Sequence, residues 1–485
     1  METASAQAGT LLAGAAKADI SDPEAGPAAT PPYVKALVLR NDETMLAIIA
    51  VDAVAVAEIG RLGNDYLPTV RARLEQELDI DPGHVLVSAS HCHAAVCADV
   101  ADRTVQAVME ATRNLTPVRA GAGAGYEERI MENRRYRLKD GGEADSRHAY
   151  ALPPDEWIAG VGPVDPEIGV LRLDKPNGQA LAAVYHFACH PIQGAPGGGN
   201  TADITGFASQ VIEENLGEGA VSLFLQGCAG DINPVFYKDI DHPRDAEPLG
   251  NLLGLSALRA LRGVQCRDDS ALRVIRETIA LPLADWAPRI AALEARQTRL
   301  LQSLKGTSLN LLSFLHLTAK HGLSSEFPSY YAHGYLHEEG MGRDDLLHLD
   351  AENREKMRQY AENVYIMEEL TRLQTNLDLL RKHQAYLSSL AGRTIDVEIL
   401  GVRIGEFVLV TFPGEPTVQI GLNIKALSPH ELTFVAGCTN GYIYYAPTAE
   451  QLRNSGYAQE DCDCILAPEW QHVFEEKVAA LLQRL

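Results

Sequence analysis

The stretch Val85-Leu-Val-Ser-Ala-Ser-His-Cys-His93 sets two imidazoles, one residue apart, directly after an apolar run. Three more apolar runs end on side chains with related chemistry. AAVYHFAC leads into His190-Pro191, EFVLVTF into Pro413-Gly414-Glu415-Pro416, and LTFVAGC into Asn440-Gly-Tyr442-Ile-Tyr444-Tyr445. Imidazole, carboxylate and phenol together form a donor set that suits zinc and leaves a coordination position for water. Alternation along a strand turns residues i and i+2 to the same side, so His91 and His93 can face one centre. Glu415 sits in a stiff proline frame that holds its side chain in one direction. Any one of these residues reads equally well as a hydrogen-bonded loop residue or as core. Their recurrence at four strand ends leaves two readings side by side, a metal-dependent hydrolase and a set of unrelated structural residues.

Other reactive residues have plainer readings beside sharper ones. Cys92 and Cys189 flank histidines, which suggests thiolate ligands, but alternation turns each away from its neighbour and favours buried packing. His333 and His337, at i and i+4, fit a surface segment, a substrate contact or a second metal pair. Asp203 either braces a ligand histidine from behind or caps its own loop. The Gly227-Cys-Ala-Gly230 turn can line a pocket through backbone donors.

Strand ends gather chemistry because a sheet fixes positions while loops supply groups. VKALVLR and MLAIIAVDAVAV, joined by NDET, predict a hairpin, followed by a helix near 64–78 and the strand HVLVSAS. A helix follows through ADRTVQAVMEATRNL. IGVLRL and LAAVYHFAC form a second hairpin, then come the strand VSLFLQ and a helix over EPLGNLLGLSALRALR. From 285 to 392 the pattern becomes helical, with stripes at Ile290, Leu293, Leu300 and Leu304 and at Met367, Leu370, Leu377, Leu380 and Leu387. Between them lies LSSEFPSYYAHGYLHEEGMGRDD, read as irregular. This insertion is either a helical hairpin packed on the main domain or a lid over a pocket. Strands return in TIDVEILGVRIG, EFVLVTF and ELTFVAGC. The expectation is an α/β fold: one large catalytic domain over 10–485, with mixed β-sheets flanked by helices and interrupted by the insertion at 285–392. No internal repeat is visible.

The bulk numbers narrow the partners. Across 485 residues, 65 acidic against 42 basic side chains give a net charge of −23, which repels nucleic acid and anionic lipid. No apolar run approaches the length of a membrane helix. The eight cysteines show no disulfide-module spacing, and the N-terminus lacks a basic start, so a cytoplasmic protein acting on a small molecule is expected. Homo-oligomerisation stays open.

The segments HCHAA, Asn133-Arg134-Arg135, FACHP, ADITGFASQ, GDINP, FPGEPT and NGYIYYAPT resemble, in the same order, motifs of the neutral/alkaline ceramidase family of zinc-dependent amidases. The resemblance runs from AAKADISDP at 15–23 to Tyr457 and leaves out most of the insertion. It implies that His91, His190, Glu415 and Tyr445 hold Zn2+. A slip in register would substitute Tyr442, but a further family tyrosine falls twelve residues beyond the ligand, and Tyr457 meets that spacing from Tyr445. It also implies that His93 lies near the substrate carbonyl and that Arg134 is an active-site arginine.

Two departures bear on activity. Asn233 stands where the family carries a serine implicated in catalysis. An amide can donate a hydrogen bond but cannot serve as an alkoxide, so a covalent acyl route through this position is excluded. The sequence also ends without the immunoglobulin-like C-terminal domain of those enzymes, which removes support for secretion and for a lipid interface. The expected activity is zinc-dependent hydrolysis of a small-molecule amide other than ceramide by metal-activated water. The alternative is a non-hydrolytic biosynthetic reaction (cyclisation, elimination or condensation) on the same scaffold.

Overall fold

Residues 10–146, 153–194, 199–237, 239, 241–324, 326–328, 332–454 and 458–485 are described by a computed structural model. Tyr457, expected beside the site, lies outside them. The chain divides into two compact units, 1–285 with 385–485, and 286–384.

The first unit is mixed α/β and contains three larger sheets with one shared pattern. In the first, Tyr33–Arg40 runs antiparallel to both Leu12–Asp19 and Met45–Val51, and a connection through helix Tyr66–Leu78 brings Val85–Ala89 parallel to Met45–Val51. In the second, Glu167–Asp174 lies between Arg119–Tyr126 and Ala180–Phe187, and helix Asp203–Leu216 leads to the parallel strand Val221–Gln226. In the third, Thr394–Ile404 lies between Leu272–Pro282 and Phe407–Thr411, and helix Val418–Leu427 leads to the parallel strand Thr433–Ala436. Each set is followed by a further helix: Val100–Arg113, Glu247–Gly263 and Trp470–Leu482. The order β-β-β-α-β-α thus occurs three times.

This corrects the expectation of no internal repeat. What repeats is backbone order, which needs only matching burial patterns. The segment between the first two strands of each set is 20–32, 127–166 and 283–393, so no fixed period reaches the sequence.

The strands are apolar on both faces because both faces are covered. Leu37, Leu39 and Ile48 of the first sheet, Leu171, Val184 and Leu223 of the second, and Val402, Leu409 and Phe434 of the third meet in one buried core. The alternate residues face helices: Val34, Val38 and Val87 pack with Val70, Leu74 and Val105, while Tyr185 and Phe224 pack with Ile204, Ala208 and Leu253.

In the second unit, helices Ala287–Ser303, Leu311–Leu323 and Ala332–Gly340 precede the start of the long helix Asp345–Ser389. Leu293, Leu370, Leu377 and Leu380 of the predicted stripes are buried, and Arg296–Glu369 and Arg381–Glu294 pair at 2.7 Å. The segment read as irregular holds the helix Ala332–Gly340. It is pinned by Tyr335, which donates to Asp350 at 2.5 Å, and His333 and His337 are exposed on it. Among the described residues, no helix is long and apolar enough to cross a membrane.

Candidate metal centre

Each parallel strand pair ends at the same place in its sheet, and the loops leaving those ends carry the polar residues singled out in the sequence. His91 follows Val85–Ala89 with φ at 66°, a left-handed conformation that costs a side-chain-bearing residue about 1–2 kcal/mol. Two bonds hold it there: its amide donates to Ala53 O at 3.0 Å, and its Nδ1 lies 2.6 Å from Val54 O. His190, three residues beyond Ala180–Phe187, puts both its amide and its Nδ1 on Ile232 O, at 3.1 and 2.9 Å. Each brace comes from the loop of the neighbouring parallel strand. Glu415 is fixed by a two-residue parallel ladder with Tyr445-Ala446 and by its amide on Tyr444 O at 3.0 Å.

These anchors aim three ligand atoms at one point. His91 Nε2 and His190 Nε2 lie 3.2 and 2.9 Å from Glu415 Oε2, and one ligand atom from each residue falls within 4.8 Å of the other two. Because each Nδ1 faces a carbonyl oxygen, it carries the ring hydrogen, and in a neutral ring Nε2 turns a lone pair toward the carboxylate. Lone pairs facing an anion need a cation between them. Burial opposes charge on His91, but Glu415 and then Cys438 outweigh it and hold the pKa well above the usual value. Burial pushes His190 down to about 4 despite its bond to Glu415. Burial would raise Glu415, yet His91 and His190 hold it well below the usual carboxylate range. One proton shared by His91 and Glu415 balances the cluster, and a divalent ion would fill the same role and release that proton. Two Nε2 atoms and a carboxylate, with both imidazoles braced through Nδ1, form a fitting zinc donor set.

Both candidate phenols are close by. Tyr442 donates to Oε1 of Glu415, and burial followed by that carboxylate keeps its pKa well above the usual value, so the hydroxyl stays protonated in the absence of a cation. Tyr445 is buried, with the Arg134 guanidinium 5.6 Å from its ring centre. His93 is partly buried, its ring 5.9 Å from that of His91 and nearly perpendicular to it.

Arg134 donates from all three of its guanidinium nitrogens: Nε to Glu460 at 2.6 Å, Nη1 to Asn233 Oδ1 at 3.0 Å, and Nη2 to Gly230 O. Gly230 approaches the ligand loop closely, its amide on Pro416 O at 2.9 Å. Asp203 accepts from the amides of Gln193 and Gly194 at 3.0 and 2.6 Å, bracing the loop that leaves His190. Cys92 and Cys189 are buried in apolar clusters on the helix side of their sheets.

Three participants have no counterpart among the sequence candidates. Cys438 places its Sγ 3.6 Å from His91 Nδ1. Glu460 and Asp461 neutralise the adjacent buried arginines, with Arg135 bonded to Asp461 at 2.8 Å. Two adjacent acids in AQEDCDC, facing two adjacent bases in NRR, were the available signal. Left-handed backbone occurs at His91, Cys438, Asn440 and Tyr444, in the loops that leave the strand ends, and at Asp203.

No family model matches the sequence, and no curated protein is similar to it in sequence. The solved structures similar in fold include two of ceramidases. The neutral ceramidase from Pseudomonas aeruginosa has a TM-score of 0.62 and 16% identity, covering 99% of this chain and 75% of that one. A ceramidase complexed with C2 has a TM-score of 0.61 and 17% identity, over 98% and 76%. The chain has a ceramidase-like fold.

Proposed function

We propose that this chain is a zinc-dependent amidohydrolase acting on a small molecule other than ceramide. The observation that carries the reading is the convergence of His91, His190 and Glu415 within 4.8 Å, with each imidazole tied through Nδ1 to a backbone carbonyl. The ceramidase-like fold supports amide hydrolysis as the reaction class.

His91, His190 and Glu415 would hold the ion, with Tyr442 or Tyr445 as a fourth donor. When bound, such an ion supplies Lewis acidity, polarising a carbonyl and acidifying water. His93, beside His91 and partly open, accepts a proton from the attacking water and returns it to the leaving amine, a role that suits an imidazole near neutral pH. Tyr442 orients the Glu415 carboxylate by occupying its second oxygen. The Arg134 guanidinium is engaged by Glu460, Asn233 and Gly230 and acts by shaping the pocket wall. The eight cysteines are free thiols, which supports a reducing, cytoplasmic setting.

Metal analysis of the purified protein tests the reading. About one zinc per chain is expected, lost in a His91→Ala/His190→Ala double variant, together with turnover on an N-acyl substrate panel that chelator abolishes and zinc restores. Full zinc in the double variant would misplace the site. The asparagine at 233 favours one further reading, non-hydrolytic chemistry on the same centre. Product mass separates the two, because hydrolysis adds one water and cyclising condensation removes one.

A further inference from the structure

We propose that Asn233 is a one-way hydrogen-bond donor to an acyl oxygen of the substrate, and that Glu460 is the positioning residue that sets its direction through Arg134. This rests on the metal-hydrolase reading and adds to it the polarity that the substrate must present.

Asn233 is 1% exposed and uses only half of its amide. Its Oδ1 accepts from Arg134 Nη1 at 3.0 Å, while Nδ2 has no hydrogen-bond partner among the described residues. A carboxamide can ordinarily rotate by half a turn and exchange donor for acceptor. Here that rotation would set the NH2 group against a guanidinium that can only donate. Arg134 therefore locks the amide, and Nδ2 points the other way. A buried donor without an acceptor is destabilising, and a ligand that brings an acceptor removes that penalty.

The position of this donor ties it to the metal centre. Asn233 follows Ile232, whose carbonyl receives both the amide and Nδ1 of His190. Arg134 links it to Gly230, whose amide donates to the carbonyl of Pro416, next to Glu415. Asn233 thus belongs to the strap that braces one ligand and abuts another. Arg134 is held in turn by Glu460 at 2.6 Å, the two side chains 1% and 0% exposed, so a buried carboxylate neutralises the buried guanidinium.

The chemistry selected is narrow. A locked amide offers N–H and nothing else, so it accommodates a carbonyl oxygen, or the oxyanion that grows from it, and leaves a substrate N–H or O–H unmatched. A hydroxyl at this position would rotate to serve either polarity. The asparagine therefore replaces a two-way group with a one-way group.

Acetohydroxamic acid, whose carbonyl oxygen approaches a bound metal, is the probe, titrated calorimetrically into zinc-loaded full-length protein. Asn233→Ala is expected to keep one zinc and weaken hydroxamate binding about tenfold, the equivalent of about 1.4 kcal/mol. Glu460→Gln should also weaken binding, and its effect should vanish in the Asn233→Ala background, which a merely structural role would not produce. Unchanged affinity in Asn233→Ala, equal Glu460→Gln effects in both backgrounds, or a zinc-loaded wild type blind to hydroxamate would overturn the inference while leaving the metal site standing. Wild-type protein without zinc would instead remove the underlying reading. Should Glu460→Gln fail to fold, Asn233→Asp replaces it: loss of the donor should again cut affinity at full zinc, and retention would refute the donor role.

Discussion

Gly230→Ala is a one-methyl perturbation placed where the fold and the proposed metal site share backbone. A Cβ at 230 would lie 2.6 Å from the carbonyl oxygen of Glu415 and 3.0 Å from the carbonyl carbon and oxygen of Pro416. Ordinary contact begins near 3.4 Å, so the first of these falls short by 0.8 Å. The opposing atoms are backbone, held by the Glu415–Tyr445 ladder and by the amide of Gly230 itself, and no flexible side chain can give way. Overpacking of this kind costs about 1–3 kcal/mol, which shifts Tm by roughly 2–4 °C per kcal/mol or less in a chain of this size. The larger effect should fall on the metal. Ligand positions tolerate about 0.5 Å, so moving Glu415 by most of the shortfall should weaken zinc by about 10–100-fold, the range seen when supporting groups are lost. Competition with a chelator of known affinity measures this, beside thermal unfolding of the apo-protein. Gly263→Ala is the control: nothing lies within 4 Å of its Cβ, at the end of a helix, and neither quantity should fall. Wild-type zinc affinity in Gly230→Ala would refute the placement of Glu415 as a ligand backed by this turn.

Three further outcomes are expected. Tyr442→Phe removes both a candidate donor and the bond that orients Glu415, so Tyr445→Phe is the discriminating variant: chelator competition should show weakened zinc if Tyr445 is the phenol ligand, and wild-type affinity would remove it from the donor set. His93→Ala should retain zinc and lose about 10²–10⁴-fold in turnover on the best substrate of the N-acyl panel, and an unchanged rate would remove it from proton transfer. Burial pushes the Glu213 carboxyl up, but Lys35, then Lys17 and the Ser222 amide, hold it below its usual pKa. Its contribution to stability is thus complete above the unfolded value near about 4.3 and lost as pH falls through the depressed folded value. Glu213→Gln should cost about 1–3 kcal/mol in urea unfolding at pH 7 and progressively less below about pH 4; an equal cost at both would refute the linkage.

The strand ends were legible in the sequence because fully covered strands write themselves as uninterrupted apolar runs, and such runs stop where chemistry begins. That is why His91, His190 and Glu415 stood out although 324 positions separate the first from the last. His91 and His93 do lie as neighbouring rings, but strand alternation is not what places them. The strand ends at Ala89, and at φ 66° His91 has already left the alternation that puts i and i+2 on one side. The same departure at Cys438, with φ 47°, brings a thiol to His91 that no periodicity could have placed.

What escaped the sequence is what depends on assembly. Glu460 and Asp461 gain their partners only when the fold brings them more than three hundred residues back to Arg134 and Arg135. The threefold order of strands and helices escaped for a related reason. Each set needs only an apolar face toward the shared core and another toward its own helices, and many residues satisfy that demand equally. Function then breaks the symmetry. The first sheet contributes a ligand from its last strand and the brace from the loop of its third. The second reverses the two, and the third places Glu415 and the two tyrosines at the ends of both. A centre built from three equivalent strand-pair ends has more positions than one metal needs. Gly230–Pro234 adds no side chain to the three convergent ligands, and it is the segment to which we assign substrate contact through Asn233.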